Sequence, residues 1–83
     1  MADRELLIMA GHAWQCPDCR RLLLETPEKA LSGHPLRANE RERLTRLEGQ
    51  HFASVPALAQ ALGVETRDLY EVMNHARARL QHF

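Results

Sequence analysis

The sequence predicts an all-α domain, a small helical bundle without a sheet. Three observations point there. Aromatic residues make up only 5% of the 83 residues, so Leu and Ala must supply the core, and both favour helices over strands. Apolar residues in the second half recur at i, i+3 and i+4 instead of alternating. Ser, Thr, Asn, Pro and Gly fall between the apolar stretches, where helices start and stop. At 9.5 kDa the chain is too short for a barrel or a doubly wound sheet. A domain of this size buries only ~60% of its unfolded surface, which makes a staple such as a bound metal useful.

In chain order, the Leu6-Leu7-Ile8-Met9 run reads as a short helix from Asp3 to Ala10, capped by Asp3 and stopped by Gly11. Cys16 then caps a helix with Pro17 in its first turn, running to about Glu25. Thr26-Pro27 starts one short further turn, ending at Ser32-Gly33. Asn39 and Glu42 read as a capping box for a helix to Leu47 or Glu48, ended by Gly49. Ser54 caps a helix with Pro56 in its first turn and an apolar stripe of Leu58, Ala59 and Leu62, closed by Gly63. Thr66 is the expected cap of the last and longest helix, Arg67 to about Gln81. Residues 1–33 thus form one segment and residues 34–83 a second, trihelical one, packed together as one domain.

Eleven basic and eleven acidic residues leave a formal charge of zero. That removes the general electrostatic case for a polyanion-binding domain, while a local basic patch remains open. No apolar run approaches the ~20 residues of a membrane span. Met1-Ala2-Asp3-Arg4-Glu5 lacks the basic flank of a signal peptide, so the expected location is the cytoplasm. There is no Gly-rich phosphate loop and no supported Ser-His-Asp set, so no enzyme activity is expected.

His12-Ala-Trp-Gln-Cys16-Pro-Asp-Cys19 has the spacing H-x3-C-x2-C. In a thiol-reducing compartment, two Cys three apart point to a metal or redox pair more than to a structural disulfide. On an unbroken helix, positions 12, 16 and 19 would lie within ~60° of one another. Pro17 argues for a break, with His12 closing one segment while Cys16 and Cys19 open the next. Zinc is the default ion for two thiolates and an imidazole, and these three ligands leave a fourth position to fill. Two ordinary thiols or a thioredoxin-like pair are the competing readings; the redox one requires a strand before the motif and a βαβ context after it. Trp14 reads as a core anchor, Met9 and Met73 as gap fillers, and His51, His75 and His82 as solvated or packing residues. Arg41, Arg43 and Arg46, with Glu40, Glu42 and Glu48, read as a solvated helix face.

The stretch from Gly11 to Leu22, with its Cys16-Pro-Asp-Cys19-Arg20 core, resembles the zinc-binding anti-sigma family of bacterial regulators. The resemblance covers about residues 5 to 25. It implies a small helical bundle that holds Zn²⁺ and binds a sigma factor, in some members released by zinc loss or thiol oxidation. His12, Cys16 and Cys19 match the family's ligand triad. The family usually places a fourth ligand on a preceding helix, but no Cys or His stands upstream of His12. His34, nearest in sequence after the motif, is the first candidate for that role; His51, Asp18, Glu25, a water or a neighbouring chain are the others.

Ser54 to Tyr70 looks like a helix-turn-helix: Gly63 makes the turn, Val64 plugs the space between helices, and the small Ala59 allows their close approach. The chain from about residue 40 to 81, ending in Ala76-Arg-Ala-Arg-Leu80, resembles sigma-factor region 4 in a degenerate form. In that family the last helix reads promoter DNA. Here the candidate contact residues for DNA or a partner are Arg67, Tyr70, Glu71, Asn74 and Arg77, with Asp68 and Glu71 opposing phosphate contact. From residue 33 onward seven Arg face six acids, a balance of only plus one. The expected function is a small zinc-binding transcription regulator that contacts a sigma factor or RNA polymerase component. A DNA-binding regulator is the first alternative and a CxxC redox protein the second.

Overall fold

A computed structural model of the chain describes residues 4–80. Its elements in order are α1 (Arg4–Gln15), α2 (Pro17–Glu25), α3 (Pro27–Leu31), α4 (Ala38–Thr45), a single 3₁₀ turn (Gly49–Phe52), α5 (Val55–Leu62), α6 (Thr66–Met73) and α7 (Ala76–Leu80). The described residues contain no strand, so the all-α expectation holds. The expected Asp3 cap, the end of the last helix at Gln81, and His82 lie outside the described residues.

α1 is the axis of the bundle. It buries every residue from Glu5 to Ala13, the pattern of a helix covered on all sides. It packs against α2 on one flank and α6 and α7 on the other. The helix runs through Gly11, where a stop was expected, for a packing reason. A Cβ at Gly11 would sit 3.2 Å from Val72 Cγ1 and 3.6 Å from the Ala78 Cβ, so the missing side chain lets α6 and α7 approach α1 closely.

One apolar cluster joins both sequence segments. Leu6, Met9 and Ala13 of α1, Leu23 of α2 and Leu31 of α3 share it with Leu44, Leu58, Leu62 and Leu69. The Cα radius of gyration, 11.0 Å, is close to the ~12 Å expected of a single body of this length. Met9 is buried as expected, and Trp14 and Met73 pack partly buried against the cluster.

Several caps fall where the sequence places them and several do not. The Cys16 Sγ accepts from Cys19 N–H at 3.5 Å, and the Ser54 Oγ accepts from Ala57 N–H at 3.2 Å. α4 starts two residues earlier than the Asn39 box implies. Arg37 is its N-cap, and Glu40 Oε1 accepts from the Arg37 amide at 2.9 Å. Glu40, not Glu42, is therefore the carboxylate that closes the box. α4 ends at Thr45, and Gly49 opens the 3₁₀ turn instead of ending a helix. Arg43 does not join the solvated Arg/Glu face. Its Nη1 donates to the Leu62 carbonyl at 2.9 Å, supplying the end of α5 with a donor.

The helix-turn-helix connection is present between α5 and α6, with Gly63 left-handed at φ 72° and Val64 half-buried behind it. The expected long C-terminal helix is instead two helices. α6 begins at Thr66 with Glu65 as its N-cap and stops at Met73. His75 Nδ1 accepts from Arg77 N–H at 3.1 Å, a local side-chain bond that competes with continued helix and restarts it as α7. The break turns α7 back onto α1.

The shared cluster predicts one cooperative unfolding transition. Leu69→Ala removes a fully buried side chain and should cost ~2–5 kcal/mol. In a urea titration, fluorescence of the single Trp14 in the first segment and helical circular dichroism of the whole chain should shift together. Separate midpoints would mean that the two segments melt independently. Gly11→Val should cost ~1–3 kcal/mol by overpacking the same contact, read as a lower melting temperature.

Candidate metal centre

Pro17 shapes this site. It has no N–H, so the i to i−4 ladder of α1 cannot continue through it. Cys16 takes up extended backbone, φ −118° and ψ 106°, between α1 and α2. Along an unbroken helix His12 and Cys19 would be ~10.5 Å apart on the axis, too far for one ion. The elbow folds them together, and His12 Nε2 lies 3.2 Å from Cys19 Sγ. The ligand atoms of His12, Cys16 and Cys19 all lie within 4.8 Å of one another. No disulfide joins the two cysteines.

His12 is 1% exposed, and its other ring nitrogen is committed. Nδ1 lies 2.7 Å from the carbonyl oxygen of Ala78 in α7. A carbonyl can only accept, so Nδ1 carries a proton, and Nε2 is the ring nitrogen turned toward Cys19. This is the arrangement by which metal-bound histidines are held: one nitrogen for the ion, the other bonded to a carbonyl or carboxylate. Tetrahedral zinc at the usual bond lengths separates an imidazole nitrogen and a thiolate sulfur by ~3.6 Å. The His12–Cys19 separation is within a few tenths of an ångström of that value.

The centre sits where α1, α2 and α7 meet, and Gln15 extends the join. Its Nε2 donates to the Met73 carbonyl at 3.1 Å, at the end of α6. No residue-type signal in the sequence announces the Ala78 contact, because it uses a backbone carbonyl 66 positions away from His12. Glu5 was equally unmarked. Its buried carboxylate accepts from Arg77 Nη2 at 2.7 Å and lies 3.3 Å from His34 Nδ1, tying α7 and the α3–α4 linker to the start of α1.

Among the described residues, the structure does not bring the other ligand candidates to the triad. His34 faces Glu5. His51 accepts from the Glu48 amide and closes the 3₁₀ turn. Asp18 and Glu25 line a hollow on α2 with Arg21 and Lys29. Of the five contact candidates, Arg67, Tyr70, Glu71 and Asn74 lie at i, i+3, i+4 and i+7 on one exposed face of α6. Arg77 pairs with Glu5 instead. Tyr70, 53% exposed, is the one large exposed hydrophobic residue among those described.

Comparison with protein-family models, with curated proteins and with solved structures found no match. No described helix is long and apolar enough to cross a membrane.

Protein prepared reduced and without chelator should carry one Zn²⁺ per chain, and Cys19→Ser should lose it. Native mass spectrometry, repeated after chelator treatment, counts ions and subunits together. Metal-free wild-type protein would rule the centre out.

Proposed function

We propose that this chain is a small zinc-binding bacterial transcription regulator that acts by contact with a sigma factor or an RNA polymerase component. The observation that carries the reading is the His12, Cys16 and Cys19 cluster at the elbow, with its outer hydrogen bond to α7. Its H-x3-C-x2-C spacing is the pattern shared with the zinc-binding anti-sigma regulators. Two sulfurs and one imidazole are a donor set that suits Zn²⁺, with a fourth position left to fill.

The exposed face of α6 supports a protein partner over DNA. It mixes one cation, one anion, an amide and an aromatic ring: Arg67, Glu71, Asn74 and Tyr70. A phosphate-tracking helix needs cations along this face, and Glu71 with the adjacent Asp68 opposes that. A half-exposed tyrosine on a mixed-charge helix is the composition of a protein interface. Beside the face, a groove of about 360 Å³ runs between α6 and the start of α1, with Leu7 and Val72 in its floor and Arg4, Asp68 and His75 at its edges. The α5–Gly63–α6 turn is the observation that favours DNA as the alternative partner. The redox alternative requires a strand before Cys16, whereas α1 occupies that place.

Purified sigma factors and polymerase subunits of the source organism, titrated against the zinc-loaded protein, test this directly. One of them should bind, and Tyr70→Ala should weaken that complex by at least ~10-fold, as an aromatic anchor at an interface does. Zinc content should not change in the variant. A selection from random duplexes that returns one motif bound at ~10⁻⁸ M in physiological salt would instead establish the DNA reading.

A further inference from the structure

Pro17 leaves an unmet requirement at the end of α1. The Ala13 carbonyl would accept from the amide four residues on, and residue 17 has none to give. The Trp14 carbonyl loses its place in the ladder when Cys16 turns extended. One side chain meets both needs. Arg20 Nε donates to the Ala13 oxygen at 3.1 Å, and Arg20 Nη2 donates to the Trp14 oxygen at 2.6 Å. The guanidinium also lies over the Phe52 ring, 5.3 Å from its centroid. Phe52 is buried in the 3₁₀ turn, so the fork is held against a fixed aromatic face from the other sequence segment.

We infer that Arg20 is a positioning residue for the metal ligands, which sets the angle between α1 and α2 and so the distance between His12 and the two cysteines. This rests on the metal reading of the triad and adds to it a residue that touches no ligand atom. His12 is fixed to α1, while Cys16 and Cys19 belong to the cap and first turn of α2. Arg20 follows Cys19 directly, and its side chain reaches back across the elbow to the last turn of α1. Two roughly parallel N–H groups on one rigid plane grip two successive carbonyls, which constrains both separation and rotation of the helices. A Lys ammonium is a single point on a flexible stem and cannot reproduce that grip.

The test compares wild type, Arg20→Lys and Arg20→Gln in three measurements: Zn²⁺ affinity by competition with a chromophoric chelator, the visible spectrum of the Co²⁺-substituted protein, and thermal stability without metal. Zn²⁺ affinity should fall ~10- to 100-fold in Arg20→Gln, the range seen when outer groups that orient metal ligands are removed. Arg20→Lys should recover only part of it, and the Co²⁺ spectrum should shift because the ligand geometry is altered. Wild-type affinity and an unchanged spectrum in Arg20→Gln would overturn the inference, even if its metal-free form melts earlier, since that pattern is a purely structural role. If Arg20→Gln does not fold, Phe52→Leu keeps an apolar residue in the core but removes the aromatic backstop. It should lower the affinity by a few-fold, and no change there would equally overturn the assignment. Wild-type protein that binds neither Zn²⁺ nor Co²⁺ takes down the metal reading and this one together, whereas wild-type binding with indifferent variants removes only this one.

Discussion

Pro17 has no N–H to give, and the shape of the candidate centre depends on that loss. An uninterrupted helix would place His12, Cys16 and Cys19 on one stripe and keep the first and last of them too far apart for one ion. The break makes Cys16 an N-cap and swings Cys19 back to within hydrogen-bonding distance of the imidazole. Because α1 continues to Gln15 before the elbow, His12 lies inside the helix and not at its end. Its outer nitrogen can therefore reach across to α7. A terminal histidine after a Gly11 stop would have had no such backing.

The same helix explains why the two sequence segments form one body. α1 is buried all round because α2, α4, α6 and α7 all pack against it. Gly11 permits the close approach of α6 and α7, and the break at Asn74-His75 returns α7 to the position where its Ala78 carbonyl meets His12. Buried Glu5 anchors the opposite end of α1 to Arg77. Two polar bonds from α7, one at each end of a mostly apolar contact, fix the register between the first helix and the last.

The sequence made the helical class and the ligand triad legible, for separable reasons. Leu and Ala spacing marks helices, and H-x3-C-x2-C depends on residue identity over a short span, so neither needs long-range information. The cap at Cys16, the turn at Gly63 and the exposed face carrying Arg67, Tyr70, Glu71 and Asn74 are local too. What was not legible involves partners far along the chain. Gly11 looks like a helix stop until Val72 and Ala78 are seen beside it. Arg43 and Arg77 look like surface charge, yet one supplies the end of α5 and the other pairs with Glu5. His34 stands nearest to the motif in sequence but next to Glu5 in space. The Asn39 box reads two residues late because Glu40 and Glu42 are both correct chemistry, and the extended backbone at Arg37 makes Glu40 the N3 residue.

A zinc-type triad and a mixed-charge helical face share a single core, and the proposed function requires that His12, Cys16 and Cys19 bind one ion together. X-ray absorption at the zinc edge of the reconstituted protein measures this at the atoms concerned. The structure calls for two sulfur neighbours at ~2.3 Å and a nitrogen neighbour at ~2.0–2.1 Å with the outer-shell scattering of an imidazole ring. A first shell of oxygen and nitrogen alone would contradict it, because the ion would then be held somewhere other than the elbow at Pro17.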